Sequence, residues 1–94
     1  MTDKQNSIAI LESTHDFPCE FMFKVIGKNS DQLLNEINNV FQQVLAIPNV
    51  EPAIRETPGG RHISVTITQV VESAEVVLDI YARLRQIDGV VMLI

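Results

Sequence analysis

Gly27–Lys28–Asn29–Ser30 sets a glycine, a lysine and a hydroxyl together where an alternating segment gives way to a helical one. Free backbone N–H groups at a helix start, with the positive end of the helix dipole, can hold a carboxylate or phosphate. These four residues are the candidate ligand-binding loop. The motif is not a P-loop, which needs two spaced glycines leading into Gly-Lys-Ser/Thr. An ordinary strand-to-helix loop capped by Ser30 explains the same residues and is the preferred reading.

Cys19 with His15 or His62 has the residue types of a nucleophile and its base. Such catalysis also needs a third group to orient the base, and no spacing here identifies one. A zinc site needs three or four ligands with local spacing, and there is no second cysteine, so no metal is expected. Iron–sulfur ligation fails on the same count. Cys19 is read as a structural or incidental thiol. Gly59–Gly60 could form an anion nest, but a tight hairpin demands glycines at positive φ there in any case. Arg55 and Arg61 flank that hairpin as a small basic spot.

These residues are positioned by two halves that repeat one plan. Phe21–Gly27 alternates, with Phe21, Phe23 and Val25 on one face and Met22, Lys24 and Ile26 on the other. Ser30–Leu45 is helical, Ser30 capping a stripe of Leu33, Leu34, Ile37, Val40, Phe41, Val44 and Leu45. Its far side is amide-rich: Asn35, Asn38, Asn39, Gln42 and Gln43. Pro48 ends that region. Val50–Glu56 is a weak strand whose Pro52 suits an edge, and Thr57–Gly60 is the turn. Arg61–Val70 points Ile63, Val65 and Ile67 inward and His62, Ser64, Thr66 and Thr68 outward. Ser73 caps a second helix, Ala74–Ile87, with Gly89 as its end signal before a last strand, Val90–Ile94.

The order is β-α-β-β-α-β, which predicts an α+β, ferredoxin-like two-layer sandwich: a four-stranded antiparallel sheet with two helices on one face. Residues 17–94 form that single domain, and residues 1–16 are expected as a flexible arm whose apolar stretch Ile8–Leu11 docks on the body. At 94 residues the chain is one small domain, burying roughly 60–65% of its unfolded surface. No apolar run approaches the ~20 residues that cross a bilayer, and no signal-like segment opens the chain. With one cysteine, the expected location is a reducing cytoplasm.

Twelve acidic against seven basic side chains give a net charge of −5, the wrong sign for tracking phosphates. The sheet face away from the helices argues against RNA as well. It carries Met22, Lys24 and Ile26 beside Ser64, Thr66 and Thr68, whereas an RNA-reading sheet needs stacking aromatics there. Phe21 and Phe23 fall on the opposite side. A half-apolar, hydroxyl-rich face suits sheet-to-sheet association or a small ligand at an interface, and an ordinary solvated sheet explains it equally well.

Two stretches carry a family resemblance. The first is the Phe21–Gly27 strand, ending Lys-Val-Ile-Gly. The second runs from Gly60 through Ser64-Val-Thr-Ile-Thr68, Tyr81 three before Leu84, and the Val90–Ile94 terminus. The chain resembles the YbeD-like family of small bacterial proteins. That resemblance implies the ferredoxin-like sandwich and kinship of shape with ACT-type regulatory domains, which bind small effectors between subunits. The leading expectation is therefore a non-enzymatic regulatory or interaction module, a homo-oligomer with an effector or protein partner and no cofactor. One alternative is an adaptor using the amide-rich helix face through Asn38 and Gln42. The other is an acylphosphatase-like enzyme, which this chain resembles in size and topology; the phosphate loop has Lys28 where that class resembles an arginine-bearing loop.

Overall fold

The computed structural model describes residues 3–94. Its elements are α1 (Asp3–Thr14), β1 (Cys19–Lys28), α2 (Asp31–Leu45), β2 (Ala53–Glu56), β3 (His62–Val71), α3 (Ala74–Leu84) and β4 (Val90–Leu93). The sheet order is β2-β3-β1-β4, with every neighbouring pair antiparallel. From β1 onward this is the expected split βαβ sandwich.

Alternation along the two long strands decides what the sheet buries. Phe23, Val25, Ile63, Val65 and Ile67 turn toward the helices and are at most 1% exposed. Leu33, Ile37 and Phe41 of α2 and Val77, Ile80 and Leu84 of α3 close the core from above. Phe41 meets Phe23 edge-on, the ring centroids 5.0 Å apart at 74°. That geometry suits the opposed charge of ring face and ring edge. Among the described residues, no polar or charged residue is fully buried.

Both core helices start where a serine can accept a hydrogen bond from the first turn. Ser30 Oγ takes the Leu33 N–H at 3.2 Å and Ser73 Oγ takes the Val76 N–H at 3.4 Å. Their ends depart from expectation. The stop of α2 is Ala46, which adopts the left-handed conformation at φ 52°. α3 closes at Leu84, not Ile87, because tighter bonds replace the helical ones: Gln86 N–H to Arg83 O and Ile87 N–H to Leu84 O. The second strand is also shorter than expected, since pairing with β3 begins only after Pro52, at Ala53.

The largest departure lies at the front of the chain. The expected arm contains a twelve-residue helix, α1, packed against α3; Met1 and Thr2 of that arm lie outside the described residues. No residue of α1 is fully buried, although Leu11 reaches the core's margin. The Phe17–Pro18 peptide that follows is cis.

Candidate functional site

The loop Gly27–Ser30 is built tightly. A Cβ on Gly27 would stand 2.7 Å from both Gly89 O and a Leu33 methyl, so this glycine is needed for close approach of the β4 entrance and α2. The Lys28 N–H donates to Gly89 O at 2.8 Å. Asn29 is spent on the hairpin: its amide Nδ2 donates to Gly60 O at 2.9 Å and to Glu56 Oε1 at 3.3 Å, and its backbone N–H reaches Arg61 O. Ser30 is the cap already described. The side chains or close packing of Gly27, Asn29 and Ser30 are therefore committed to structure. The fourth, Lys28, is exposed and sits opposite His62 on the sheet.

The hairpin glycines have the positive φ that a tight turn requires, 89° at Gly59 and 71° at Gly60, with Gly60 N–H bonded to Thr57 O. Cys19 and His62 sit at opposite ends of the β1–β3 ladder, nine residues apart along it, or about 30 Å. A Cys19–His62 pair is thereby ruled out by distance. His15 instead packs its ring against Phe17 and Phe21 and places Nδ1 near Thr14 Oγ1 and Leu11 O. Among the described residues, no three His, Cys, Asp or Glu side chains gather as metal ligands would.

The open sheet face has the register the sequence leads one to expect. Met22 stands opposite Thr68, Lys24 opposite Thr66 and Ile26 opposite Ser64. The outer strands extend it: Arg55 lies beside Ser64, Ala53 beside Thr66, and Met92 beside Ile26, while Ile94 exchanges both backbone hydrogen bonds with Lys24. Large apolar side chains lie bare across it, Met22 at 63%, Val70 at 60%, Ile94 at 59% and Met92 at 52% exposure.

Two features escaped the sequence reading. One is the β4 edge. The β1–β4 register slips between Ile26 and Gly27, leaving Val91 as an extra residue at 64% exposure. A depression of about 390 Å³ runs along this edge beside Arg85. Two consecutive exposed apolar residues, Val91 and Met92, were the available sign of a bulge. The other is a shallow groove of about 770 Å³ between α1 and α3, lined by Lys4, Glu75, Asp79, Tyr81 and Arg85. Its recognition depends on α1, which the sequence pattern did not reveal.

Tyr81 marks the floor of that groove and the end of an aromatic row through Phe21 and Phe23. Its hydroxyl donates to Ile94 O at 3.0 Å. Burial pushes the phenol above its ordinary value of 10.0, with the Arg85 guanidinium pulling the other way. On the amide-rich face of α2, Gln42 Nε2 donates to Pro48 O and Asn38 Oδ1 is buried. Both residues named for the adaptor reading are thus drawn into the body, leaving Asn35, Asn39 and Gln43 exposed.

A profile described as "Protein of unknown function (DUF493)" matches residues 12–94. A UPF0250 protein of Pasteurella multocida is 35% identical over 86 residues, covering 92% of this chain and 97% of that relative. A UPF0250 protein of Vibrio vulnificus is 34% identical over 89 residues, covering 95% and 96%. Among solved structures, the solution structure of protein HP0495 from H. pylori superposes with a TM-score of 0.70 at 17% identity, covering 85% of each chain. That likeness supports the ferredoxin-like sandwich. The YbeD-like resemblance read from the strand ends and terminus is borne out, and the chain belongs to the UPF0250/DUF493 family.

Proposed function

We propose that this protein is a non-enzymatic interaction module of the cytoplasm that works as a homo-oligomer, two copies joining along β4. The observation that carries the reading is the apolar, unpaired edge: Val91, Met92 and Ile94, each more than half exposed, on a strand with no outer neighbour. Because Lys24 and Ile94 exchange both of their hydrogen bonds, the backbone groups of Leu93 point away from the sheet. An edge of this kind pairs readily with another strand. Antiparallel pairing of two β4 edges would continue the sheet through both copies and cover the six apolar side chains together.

Enzymatic readings gain nothing from the site. Asn29 and Ser30 are committed to structural bonds, and Glu56 stands beside the loop where an anionic substrate would have to sit. An effector near Gly27–Ser30, which the regulatory form of this proposal includes, would be held from the Lys28 side. Nucleic acid remains disfavoured by the charge of −5.

Sedimentation velocity on the intact protein and on Val91→Lys tests the proposal. The edge is short, so association should be weak, with dimer dominant above about 100 µM. Val91→Lys should be monomeric there with an unchanged circular dichroism spectrum. A wild-type monomer at that concentration, or a dimer indifferent to the lysine, would overturn it.

A further inference from the structure

Three of the seven lysines and arginines of this acidic protein gather on one face of the sheet. Within the paired strands, the open sheet face carries Lys24 and Lys28 of β1, Arg55 of β2 and His62 of β3, against one carboxylate, Glu20, at the far end of β1. Lys24 and Lys28 are about 13 Å apart along β1, and Arg55 lies two strands across, about 10 Å from Ile26. Ser64 and Thr66 fill the space between them, and Ile26, Met92 and Ile94 adjoin it. None of the three cations is in an ion pair; among the described residues the only one is Arg83–Asp79. The helix layer has the opposite balance: Asp3, Glu12, Asp31, Glu36, Glu75 and Asp79 on its three helices outnumber Lys4 and Arg83.

From this local excess of positive charge beside exposed apolar side chains we infer that the open face docks an acidic, amphipathic segment of a partner protein. Its carboxylates would meet Lys24, Lys28 and Arg55, and its apolar side chains would cover Met22, Ile26, Met92 and Ile94. A second copy laid face to face is the wrong occupant, because it would bring three unpaired cations against three with only one carboxylate on each side. Nucleic acid also fits poorly. The face offers no phenylalanine, tyrosine or tryptophan ring for stacking, and the rest of the molecule repels a polyanion. The inference rests on the interaction-module reading and shares Met92 and Ile94 with it, but its cations Lys24, Lys28 and Arg55 lie off the β4 edge, so the two can fail separately.

The test is an NMR titration of the intact isotope-labelled protein with a blocked peptide of alternating glutamate and leucine. Three controls accompany it: the same peptide with lysine for glutamate, one with serine for leucine, and a single-stranded oligonucleotide of equal charge. The Glu-Leu peptide should shift amides of β1, β3 and β4 around Lys24, Ser64 and Met92, and bind more weakly as salt rises. Lys24→Glu with Lys28→Glu should raise its dissociation constant at least about tenfold, while Arg83→Glu leaves it unchanged. Tighter binding of the oligonucleotide, equal binding of the lysine peptide, shifts confined to the helices, or no shift at millimolar peptide would each overturn the inference. Because the wild-type map alone decides the location, it stands even if the double variant folds poorly. A dimer by sedimentation with no peptide binding would leave the edge reading intact and remove this one.

Discussion

Replacing Gly27 by alanine should cost stability through space, not through backbone conformation. The added methyl would lie 2.7 Å from Gly89 O, 2.7 Å from a Leu33 methyl and 3.3 Å from Val90 Cα, where ordinary contacts are 3.4–4 Å. Leu33 is 2% exposed and has little room to turn aside, and Gly89 O is backbone, fixed by the Lys28 N–H at 2.8 Å. Overfilling of this kind costs about 1–3 kcal/mol. Reduced freedom of the unfolded chain returns about 0.4–1 kcal/mol. The net loss is about 1–2 kcal/mol, which in a domain this size lowers Tm by about 4–16 °C. Urea denaturation and calorimetry measure the total, and amide exchange locates it: the Lys28 N–H should exchange faster as β4 is pushed from β1. Gly59 is the natural control, since a Cβ there meets nothing within 4 Å but φ is +89°. Gly59→Ala should lose about 1–2 kcal/mol that Gly59→Asn largely recovers, because asparagine tolerates positive φ. If Gly27→Ala is as stable as the wild type, with Lys28 protection intact, the close-approach argument is wrong.

Two further outcomes follow from the polar contacts. Asn29→Ala removes the amide links to Gly60 O and Glu56 at an exposed site and should cost about 1 kcal/mol, with hairpin amides 57–61 losing protection first; an unchanged hairpin would refute the clamp. Tyr81 is the single tyrosine in a chain without tryptophan, so tyrosinate absorbance reports it alone. Its midpoint should lie above 10.0, the unfolded chain then releasing that proton first, so this stabilising contribution is complete below pH 10 and fades as pH climbs through the native value. A midpoint at or below 10.0 would contradict the burial and the bond to Ile94.

The sheet was readable in the sequence because two long strands each alternate cleanly. Phe23 and Val25 against Lys24 and Ile26, and Ile63, Val65 and Ile67 against Ser64 and Thr66, allow one burial choice. Placing the inward residues together then sets Lys24 opposite Thr66. α1 was hidden because its apolar residues form no stripe and its support comes from α3, far along the chain. The loop's real work was equally invisible, since the partners of Asn29 lie 27 and 31 residues away. In the sequence Lys28 is simply a loop lysine, while its place in a cation cluster depends on Arg55 arriving beside Ser64 through the hairpin.

The excess of carboxylates over cations on the helices, and of cations over carboxylates on the open sheet face, gives the molecule a permanent electric moment across its two layers. Such a body does not collide at random. Within about 8–10 Å of a charged surface, the reach of an unscreened field at physiological salt, it experiences a torque that turns it before it touches. Approaching anything acidic it presents the sheet, and approaching anything basic it presents the helices. Encounter orientation, and with it the association rate, is therefore written into the layering of the fold and should fall away as salt is added.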